Sequence, residues 1–338
     1  MNLTKLALEQ HIETRHLWEM IFQEDTECFL DYYYENVANQ NEIYVVKEEN
    51  QIVSMLHLNP YTVNFVGRLY ETRYIVAVAT LEKYRKQGLM KSMLEQSLRD
   101  MYVNDIPFTF LMPAAEAIYT PYDFATVDHQ THYECMGKIK RNMCTFQNQW
   151  HWKEYTFRYA SEEECEKLAE FANTKFTNAY RTFTYRTSYY FQRLIKEQVA
   201  QNGGIVIVYK GETIVGYFIV ANEGYMQVRE PVFLNEYEEE MMELLQLQEK
   251  DTPKIMIRIL NVAACLPRLH FRRGDRMIVH VRDSIITENT GVYQLSPGYG
   301  GMRCKKISNE VEEELVISIA ELTRRMFLNE PILLNEIV

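Results

Sequence analysis

The stretch that most constrains the fold spans residues 74–94, YIVAVATLEKYRKQGLMKSML. Its apolar run IVAVA is typical of a strand that is covered on both faces. Apolar residues at helical spacing follow Gly88, so Arg85 and Gly88 lie where a helix begins. The unpaired N–H groups and the dipole of a helix start attract anions, and glycine lets a phosphate approach them. We therefore predict a pyrophosphate-binding turn, although a basic surface turn leading into a helix would carry the same residues.

Length and composition limit the class of protein. A chain of 338 residues predicts two or three domains, and a hydrophobic content of 47% is enough to build their cores. The net charge of −11 argues against a nucleic-acid partner and is compatible with amine substrates, although solubility alone is the favoured explanation of it. The six cysteines form no CxxC motif, and no signal peptide or long apolar span opens the chain. This pattern predicts a reduced, cytoplasmic protein with no metal, no disulfide and no membrane partner.

The order of elements in residues 1–147 predicts a mixed α/β domain. Two helices precede antiparallel strands, and the strand before Gly88 is followed by a helix and then by a parallel strand. Pro60 is expected to end or disturb a strand between residues 52–58 and 61–66. The remaining predicted elements are a short helix at 114–119 and strands at 125–128 and 138–146.

Two further segments follow. Residues 148–251 repeat the order of helices and then a hairpin, but they lack a counterpart of the Arg85-x-x-Gly88 turn, so we expect no phosphate site there. Residues 252–338 predict a third, α+β domain. Its expected elements are a strand at 255–260, a helix at 261–269, strands at 277–282 and 292–295, and a strand and helix over 315–327. The apolar tail PILLNEIV is expected to dock against the protein.

Three motifs together resemble the GNAT superfamily of N-acetyltransferases: AVAT, YRKQGLM and AIYTPYDF. That superfamily marks its acetyl-CoA site with Q/R-x-x-G-x-G/A; Arg85 and Gly88 match it, and Met90 departs from the small third residue. The whole chain is similar to the enhanced-intracellular-survival branch. The resemblance implies an α/β (α+β) fold of tandem GNAT domains, the second degenerate, followed by a domain similar to sterol carrier protein. The implied bounds are 1–147, 148–251 and 252–338.

The resemblance implies an acetyl-CoA-dependent N-acetyltransferase. The implied acceptor is a primary amine of an aminoglycoside- or polyamine-like small molecule, or a peptide lysine, and a homo-oligomer such as a hexamer is implied too. The residues implied to bind acetyl-CoA are Ala77, Val78 and Ala79 on the strand, Arg85, Lys86, Gln87, Gly88, Leu89 and Met90 at the turn, and Ala114 and Ala115 before the short helix.

Two groups are implied to move protons. Tyr119 matches the GNAT tyrosine near the CoA sulfur, and a phenol with an ordinary pKa of about 10 is protonated at neutral pH and can donate to the departing thiolate. Tyr119 could instead be one more core tyrosine. Tyr122 competes for the role of proton donor, or it could pack against the cofactor. In this family the C-terminal carboxylate, here that of Val338, accepts the amine proton. A hydrophobic tail buried only for packing would look the same in sequence.

The acceptor side is less specific. Asp25, Phe29 and Tyr32 combine an acid with aromatic rings, which suits a cationic amine. For each residue taken singly, a solvated acidic turn and an amphipathic helix are the favoured explanation. His57 and His129 are possible bases without an evident partner. A second hypothesis is a non-catalytic protein that binds acyl-CoA or lipid.

Overall fold

A computed structural model describes residues 2–137, 148–222, 226–250, 252–269, 276–298, 301–334 and 336. The strands are β1 (Asn2–Lys5), β2 (Glu42–Glu48), β3 (Gln51–Phe65), β4 (Arg68–Thr80), β5 (Phe108–Leu111), β6 (Ala125–His129), β7 (His132–Cys135), β8 (Gln149–Trp152), β9 (Tyr155–Tyr159), β10 (Thr182–Thr184), β11 (Gly204–Lys210), β12 (Thr213–Asn222), β13 (Met226–Phe233), β14 (Leu247–Glu249), β15 (Lys254–Ile259), β16 (Met277–Arg282), β17 (Gly291–Gly298), β18 (Gly301–Ser308), β19 (Val316–Ser318) and β20 (Ile332–Leu333). The helices are α1 (Arg15–Ile21), α2 (Glu27–Asn36), α3 (Leu89–Val103), α4 (Glu116–Tyr119), α5 (Cys165–Ala179), α6 (Ser188–Ala200), α7 (Asn235–Leu245), α8 (Val262–Cys265) and α9 (Ile319–Phe327). The predicted strand at 138–146 lies outside the described residues.

The first sheet has the strand order β1-β2-β3-β4-β5-β15-β6. β3 and β4 form a long antiparallel hairpin, α3 follows β4, and β5 then pairs parallel to β4. This confirms the predicted succession of strand, turn, helix and parallel strand, and with it the mixed α/β class. The second sheet has the order β14-β7-β13-β12-β11-β9-β8, and the third has the order β18-β17-β16-β19.

The expectation for Pro60 was wrong, because β3 runs through it without a break. Pro60 pairs with Arg73 of β4. On the other edge of β3, the pairing with β2 ends at Leu58 and the pairing with β10 begins at Val63. Pro60 therefore lies where the described chain places no strand on that edge, so its missing N–H leaves no ladder hydrogen bond unmade.

The sheets exchange strands across the predicted domain bounds. β15, from the third segment, lies between β5 and β6, and β20 extends the same sheet through β10. β7 leaves the first segment and pairs with β13 and β14 of the second sheet. Phe327 of α9 stacks on Phe65 of β3, with 5.4 Å between ring centroids. The bounds 1–147, 148–251 and 252–338 remain predictions, but the segments they separate share sheets and a core.

Several helices begin at a side-chain cap. The Thr26 hydroxyl accepts a hydrogen bond from the N–H of Phe29 at the start of α2, and the Ser318 hydroxyl accepts one from Glu321 at the start of α9. α3 differs, because its first turn has no side-chain cap. The N–H groups of its first turn are those that we predict from the sequence to bind a phosphate.

Candidate active site

The predicted cofactor strand β4 carries a bulge. Its register to β3 shifts between Val76 and Ala79, so one residue of β3 faces both Ala77 and Val78. Ala77 has a φ of 50°, a left-handed conformation that is uncommon for a non-glycine residue. Because the extra residue of a bulge is left out of the ladder, β4 has backbone groups here that a ligand can use.

β4 and β5 part just before this bulge. Their parallel pairing consists of Tyr74 with Phe110 and Ile75 with Leu111, whereas β4 continues to Thr80. Beyond Ile75, the described chain therefore places no strand on the β5 side of β4. An extended ligand can add to such an edge by main-chain hydrogen bonds.

The turn after β4 presents a helix start toward solvent. Gly88 precedes the first residue of α3 and has a φ of 80°, and Lys86 also has a positive φ of 62°. A Cβ added to Gly88 would meet no atom within 4 Å, so glycine is favoured here by its backbone conformation and not by crowding. Because side chains do not cap α3, its first N–H groups and its dipole are available to an anion.

The side chains around this turn differ in role. Arg85 is exposed, and its Nε donates to the Thr80 carbonyl at 3.1 Å, which ties the turn to the end of β4. Lys86 and Gln87 are also exposed. Leu89 is buried, and Met90 is partly buried and packs against the same core. Ala114 and Ala115 are exposed in the segment that follows β5.

Tyr119 lies at the end of α4 and is 8% exposed. Its ring packs edge-on against Phe124 with 5.8 Å between centroids, and its hydroxyl forms no hydrogen bond with another described residue. Burial raises the pKa of Tyr119 to about 12, so the phenol is protonated at neutral pH. Ala77, Ala79 and Leu89 belong to the same buried apolar cluster. Strand β4, the start of α3 and the Tyr119 ring thus contribute to one apolar cluster.

The competing tyrosine, Tyr122, is half-buried on the short turn after α4. Burial, followed by the charge of Glu95, raises the pKa of its phenol. Its backbone carbonyl is engaged with Arg258, at 2.8 Å from Nε. Tyr122 thus lies nearer the surface than Tyr119.

The three predicted acceptor residues differ in burial and in their partners. Asp25 accepts a hydrogen bond from the indole N–H of Trp18 at 2.7 Å, and Phe29 is buried. Tyr32 is buried as well, and its hydroxyl donates to the Glu197 carboxylate at 3.3 Å. Through this hydrogen bond, Tyr32 contacts the buried polar residues described next.

Sequence reasoning missed a cluster of buried charges between the first and second sheets. Arg186 is fully buried and donates to the Glu230 carboxylate at 2.5 Å and to the Glu336 carboxylate at 3.2 Å. The Tyr190 hydroxyl donates to the other oxygen of Glu336 at 3.0 Å. Nothing in the local pattern marks Arg186 as buried; the one available signal was the charge of Glu336 within an apolar tail.

The C-terminal tail enters this cluster. After β20, Glu336 is 2% exposed, and its backbone carbonyl accepts a hydrogen bond from the Gln130 amide at 2.9 Å. Val338 lies outside the described residues. Burial is the largest cause that raises the pKa of Tyr74 on β4, followed by the charge of Glu336 and then by Tyr119.

A groove and a small cavity meet at this cluster. The groove has a volume of about 220 Å³ and shares Tyr61, Tyr190 and Arg193 with a cavity of about 20 Å³. Glu197 and Glu336 line the inner cavity, which has room for a single water molecule. The three shared side chains thus form the wall between solvent and the buried carboxylates.

The two histidines differ sharply. His57 is completely buried; burial, and then His11, lower its pKa to about 3, so its ring is neutral. His129 is exposed beside Asp128 and Glu249. Within the described ranges, no group of three His, Cys, Asp or Glu side chains could hold a metal ion. None of the described helices is both long and apolar enough to cross a membrane.

Residues 3–127 match the family described as an acetyltransferase (GNAT) domain. This part of the chain is a GNAT acetyltransferase domain, and the protein is an acyltransferase. GNAT enzymes use acetyl-CoA and act on amines. No curated protein sequence matches the chain.

Solved structures resemble the chain over nearly its whole length. A probable N-acyltransferase of unknown function from Enterococcus faecalis V583 is 17% identical, with a TM-score of 0.73 over 96% of this chain and 88% of that one. A GCN5-related N-acetyltransferase from Anabaena variabilis is 15% identical, with a TM-score of 0.74 over 95% and 88%. Eis1 from Mycobacterium abscessus is 10% identical, with a TM-score of 0.67 over 96% and 89%. At these identities the likeness concerns the fold.

Proposed function

We propose that the protein transfers the acetyl group of acetyl-CoA to a primary amine by direct attack. The acceptor is an amine of an aminoglycoside- or polyamine-like small molecule or a peptide lysine. The observation that carries this proposal is the parting of β4 from β5 beyond Ile75 and Leu111, with an uncapped helix start at one end and a buried phenol nearby.

The cofactor is proposed to follow β4. Backbone N–H groups of the turn from Arg85 to Met90 hold the pyrophosphate, and Arg85 and Lys86 add positive charge. Backbone groups of Ala77, Val78 and Ala79 hold the pantetheine arm, and Ala114 and Ala115 lie along its other side. The bulge leaves an N–H available to stabilise the oxyanion that forms when the amine attacks the thioester.

Tyr119 is proposed to protonate the departing thiolate. Its hydroxyl is protonated at neutral pH and has no other described partner, so it can donate as negative charge develops on sulfur. The Val338 carboxylate is proposed to accept the amine proton. The burial of Glu336, two residues earlier, is the observation that supports this proposed role.

Tyr119 is tested by replacement with phenylalanine. Tyr119→Phe should lower kcat about 10²-fold or more while the KM for acetyl-CoA stays within about two-fold. Tyr122→Phe is the matched control on the same turn and should retain its rate. Thiol release is followed with a panel of aminoglycosides, polyamines and lysine peptides. Tight acetyl-CoA binding without release for any acceptor would instead support a non-catalytic acyl-CoA- or lipid-binding protein.

The proposed general base, the terminal carboxylate of Val338, is tested by displacing it. Adding one glycine after Val338 displaces the terminal carboxylate without removing any side chain. We expect this extension to lower kcat, and full activity of the extended chain would exclude the carboxylate as the base. Three features implied by the family resemblance also remain proposals: a degenerate second GNAT domain, a sterol-carrier-like third domain, and a cytoplasmic homo-oligomer such as a hexamer.

A further inference from the structure

The segment that carries Tyr119 connects two strands that are not paired with each other. It leaves the end of β5 at Leu111 and enters β6 at Ala125. β15 lies between these strands and pairs with both, so Met256 faces Leu111 on one side and Thr126 on the other. Both ends of the Tyr119 segment are therefore held by a strand that follows it by more than a hundred residues.

Arg258 of β15 holds the segment from inside. Its side chain is fully buried, and Nε donates to the Tyr122 carbonyl at 2.8 Å, three residues after Tyr119. Nη2 donates to the Asp283 carboxylate at 2.7 Å, and Nη1 donates to the Ile259 carbonyl at 3.0 Å. Because a guanidinium is a planar, rigid fork, these bonds fix the direction of the one to Tyr122.

Asp283 compensates the buried charge of Arg258. It also accepts hydrogen bonds from the N–H groups of Ile285 and Ile286, both at 2.9 Å, and from the Asn289 amide at 3.0 Å. A buried ion pair is tolerated when its remaining hydrogen-bonding capacity is satisfied in this way. Arg258 is thus anchored on the side away from Tyr119.

Lys254 of β15 holds the other end of the segment. Its ammonium group lies 2.5 Å from the carboxylate of Glu116, the first residue of α4, and both side chains are partly exposed. Glu116 also accepts a hydrogen bond from the Thr126 hydroxyl on β6. The two β15 cations therefore bracket the helical turn that carries the phenol.

We infer that Arg258 and Lys254 are positioning residues for Tyr119. The inference rests on the proposed role of Tyr119 as proton donor. A proton donor must lie within hydrogen-bond reach of the departing sulfur, and a displacement of about 1 Å can cost about 10²-fold in rate. In the Arg258→Lys variant, the ammonium group can hydrogen-bond to the Asp283 carboxylate or to the Tyr122 carbonyl. It cannot bond to both in the geometry of the guanidinium.

The test is a double-mutant cycle on kcat with Arg258→Lys, Tyr119→Phe and the combined variant. Arg258→Lys should lower kcat about ten-fold or more, with the KM for acetyl-CoA within about two-fold. In the Tyr119→Phe background, the same change should cost nothing further. An acetyl donor with a more acidic leaving thiol should restore both single variants, because it needs less help from a phenol.

The outcomes separate the two hypotheses. If Tyr119→Phe keeps full kcat, the proposed proton donor is refuted and the inference with it. If Tyr119→Phe is slow but Arg258→Lys adds its full loss in the double variant, the inference alone is refuted. Unchanged kcat in Arg258→Lys refutes it too.

Asn289→Ala is the matched control, because it weakens the same buried network on the side away from the turn. It should lower the melting temperature and leave kcat unchanged; a comparable loss of kcat would show that general softening explains the effect. If Arg258→Lys does not fold, Lys254→Met carries the test, since partly exposed ion pairs contribute little to stability. It should lower kcat about three-fold or more in the native background and not in Tyr119→Phe, and any other result overturns the inference.

Discussion

Replacing Glu197 with glutamine should stabilise the protein in a way that grows with pH. Glu197 lies on α6, is 5% exposed, and lines the small cavity behind Tyr61. The Tyr32 hydroxyl donates to one carboxylate oxygen at 3.3 Å, and the Gln198 amide donates to the other at 3.0 Å. These are neutral donors, which a glutamine carbonyl can partly keep.

The pKa of Glu197 is raised to about 7, and burial is the largest cause. The positive charges of Arg193 and Arg229 lower it, but Glu336 raises it again. Arg193, one turn earlier on the helix, donates instead to the Tyr61 hydroxyl at 2.6 Å. The nearby charges therefore act on the pKa of Glu197 in opposite directions and do not offset the effect of burial.

The direction of the pH dependence follows from the linkage between proton binding and folding. A carboxyl whose pKa is higher in the folded than in the unfolded chain stabilises the fold fully only below its unfolded pKa, and this contribution disappears as pH rises through the folded value. For Glu197 the window lies between an ordinary value near 4.5 and about 7. From pH 5 to pH 8 the loss is roughly 2–3 kcal/mol, since one pKa unit corresponds to about 1.4 kcal/mol.

The assay is urea denaturation of the native protein and Glu197→Gln at pH 5, 6, 7 and 8. The difference in free energy of unfolding should be small at pH 5 and should reach about 2–3 kcal/mol in favour of the variant at pH 8. Glu243→Gln on the exposed side of α7 is the control for loss of one carboxylate and should follow the native profile. A constant difference across pH, or a less stable variant at pH 8, would show that Glu197 is ionised and well paired in the fold.

Two further substitutions and one titration test other features. Gly88→Ala should lower the free energy of unfolding by about 1–2 kcal/mol in urea, because only the left-handed conformation opposes the added methyl group. Arg186→Met should cost about 3–5 kcal/mol in the same assay, because it leaves Glu230 and Glu336 as buried, unpaired carboxylates. His57 should show no titration between pH 5 and 8 in NMR spectra of its ring, since burial lowers its pKa to about 3; a midpoint near 6 would contradict its burial.

The parts of the fold that could be predicted from sequence are those with local causes. The apolar run of β4, the glycine before α3 and the parallel β5 each follow from neighbouring residues, and the structure places them as expected. Tyr119 was predicted from its motif, and its burial in the same apolar cluster as Ala77 is consistent with that choice, while its role remains a prediction.

The rest depends on contacts between residues far apart in the chain. The apolar run of β15 predicted a strand but not its place between β5 and β6, because strand partners are not encoded in a strand's own alternation. Arg186 and Glu197 resemble surface residues in sequence, since charged side chains are rarely buried unless paired. Pro60 was misjudged because its tolerance depends on where two other strands end.

The place of β15 also has a consequence for how the protein is made. While a ribosome is still synthesising the second sheet, β5 and β6 have already emerged, yet the strand that joins them does not exist. Until β15 has been synthesised, β5 and β6 each have an unpaired edge in the nascent chain. Such edges can pair with strands of other chains. The sheet that carries the candidate active site can therefore be completed only after residue 259 leaves the exit tunnel.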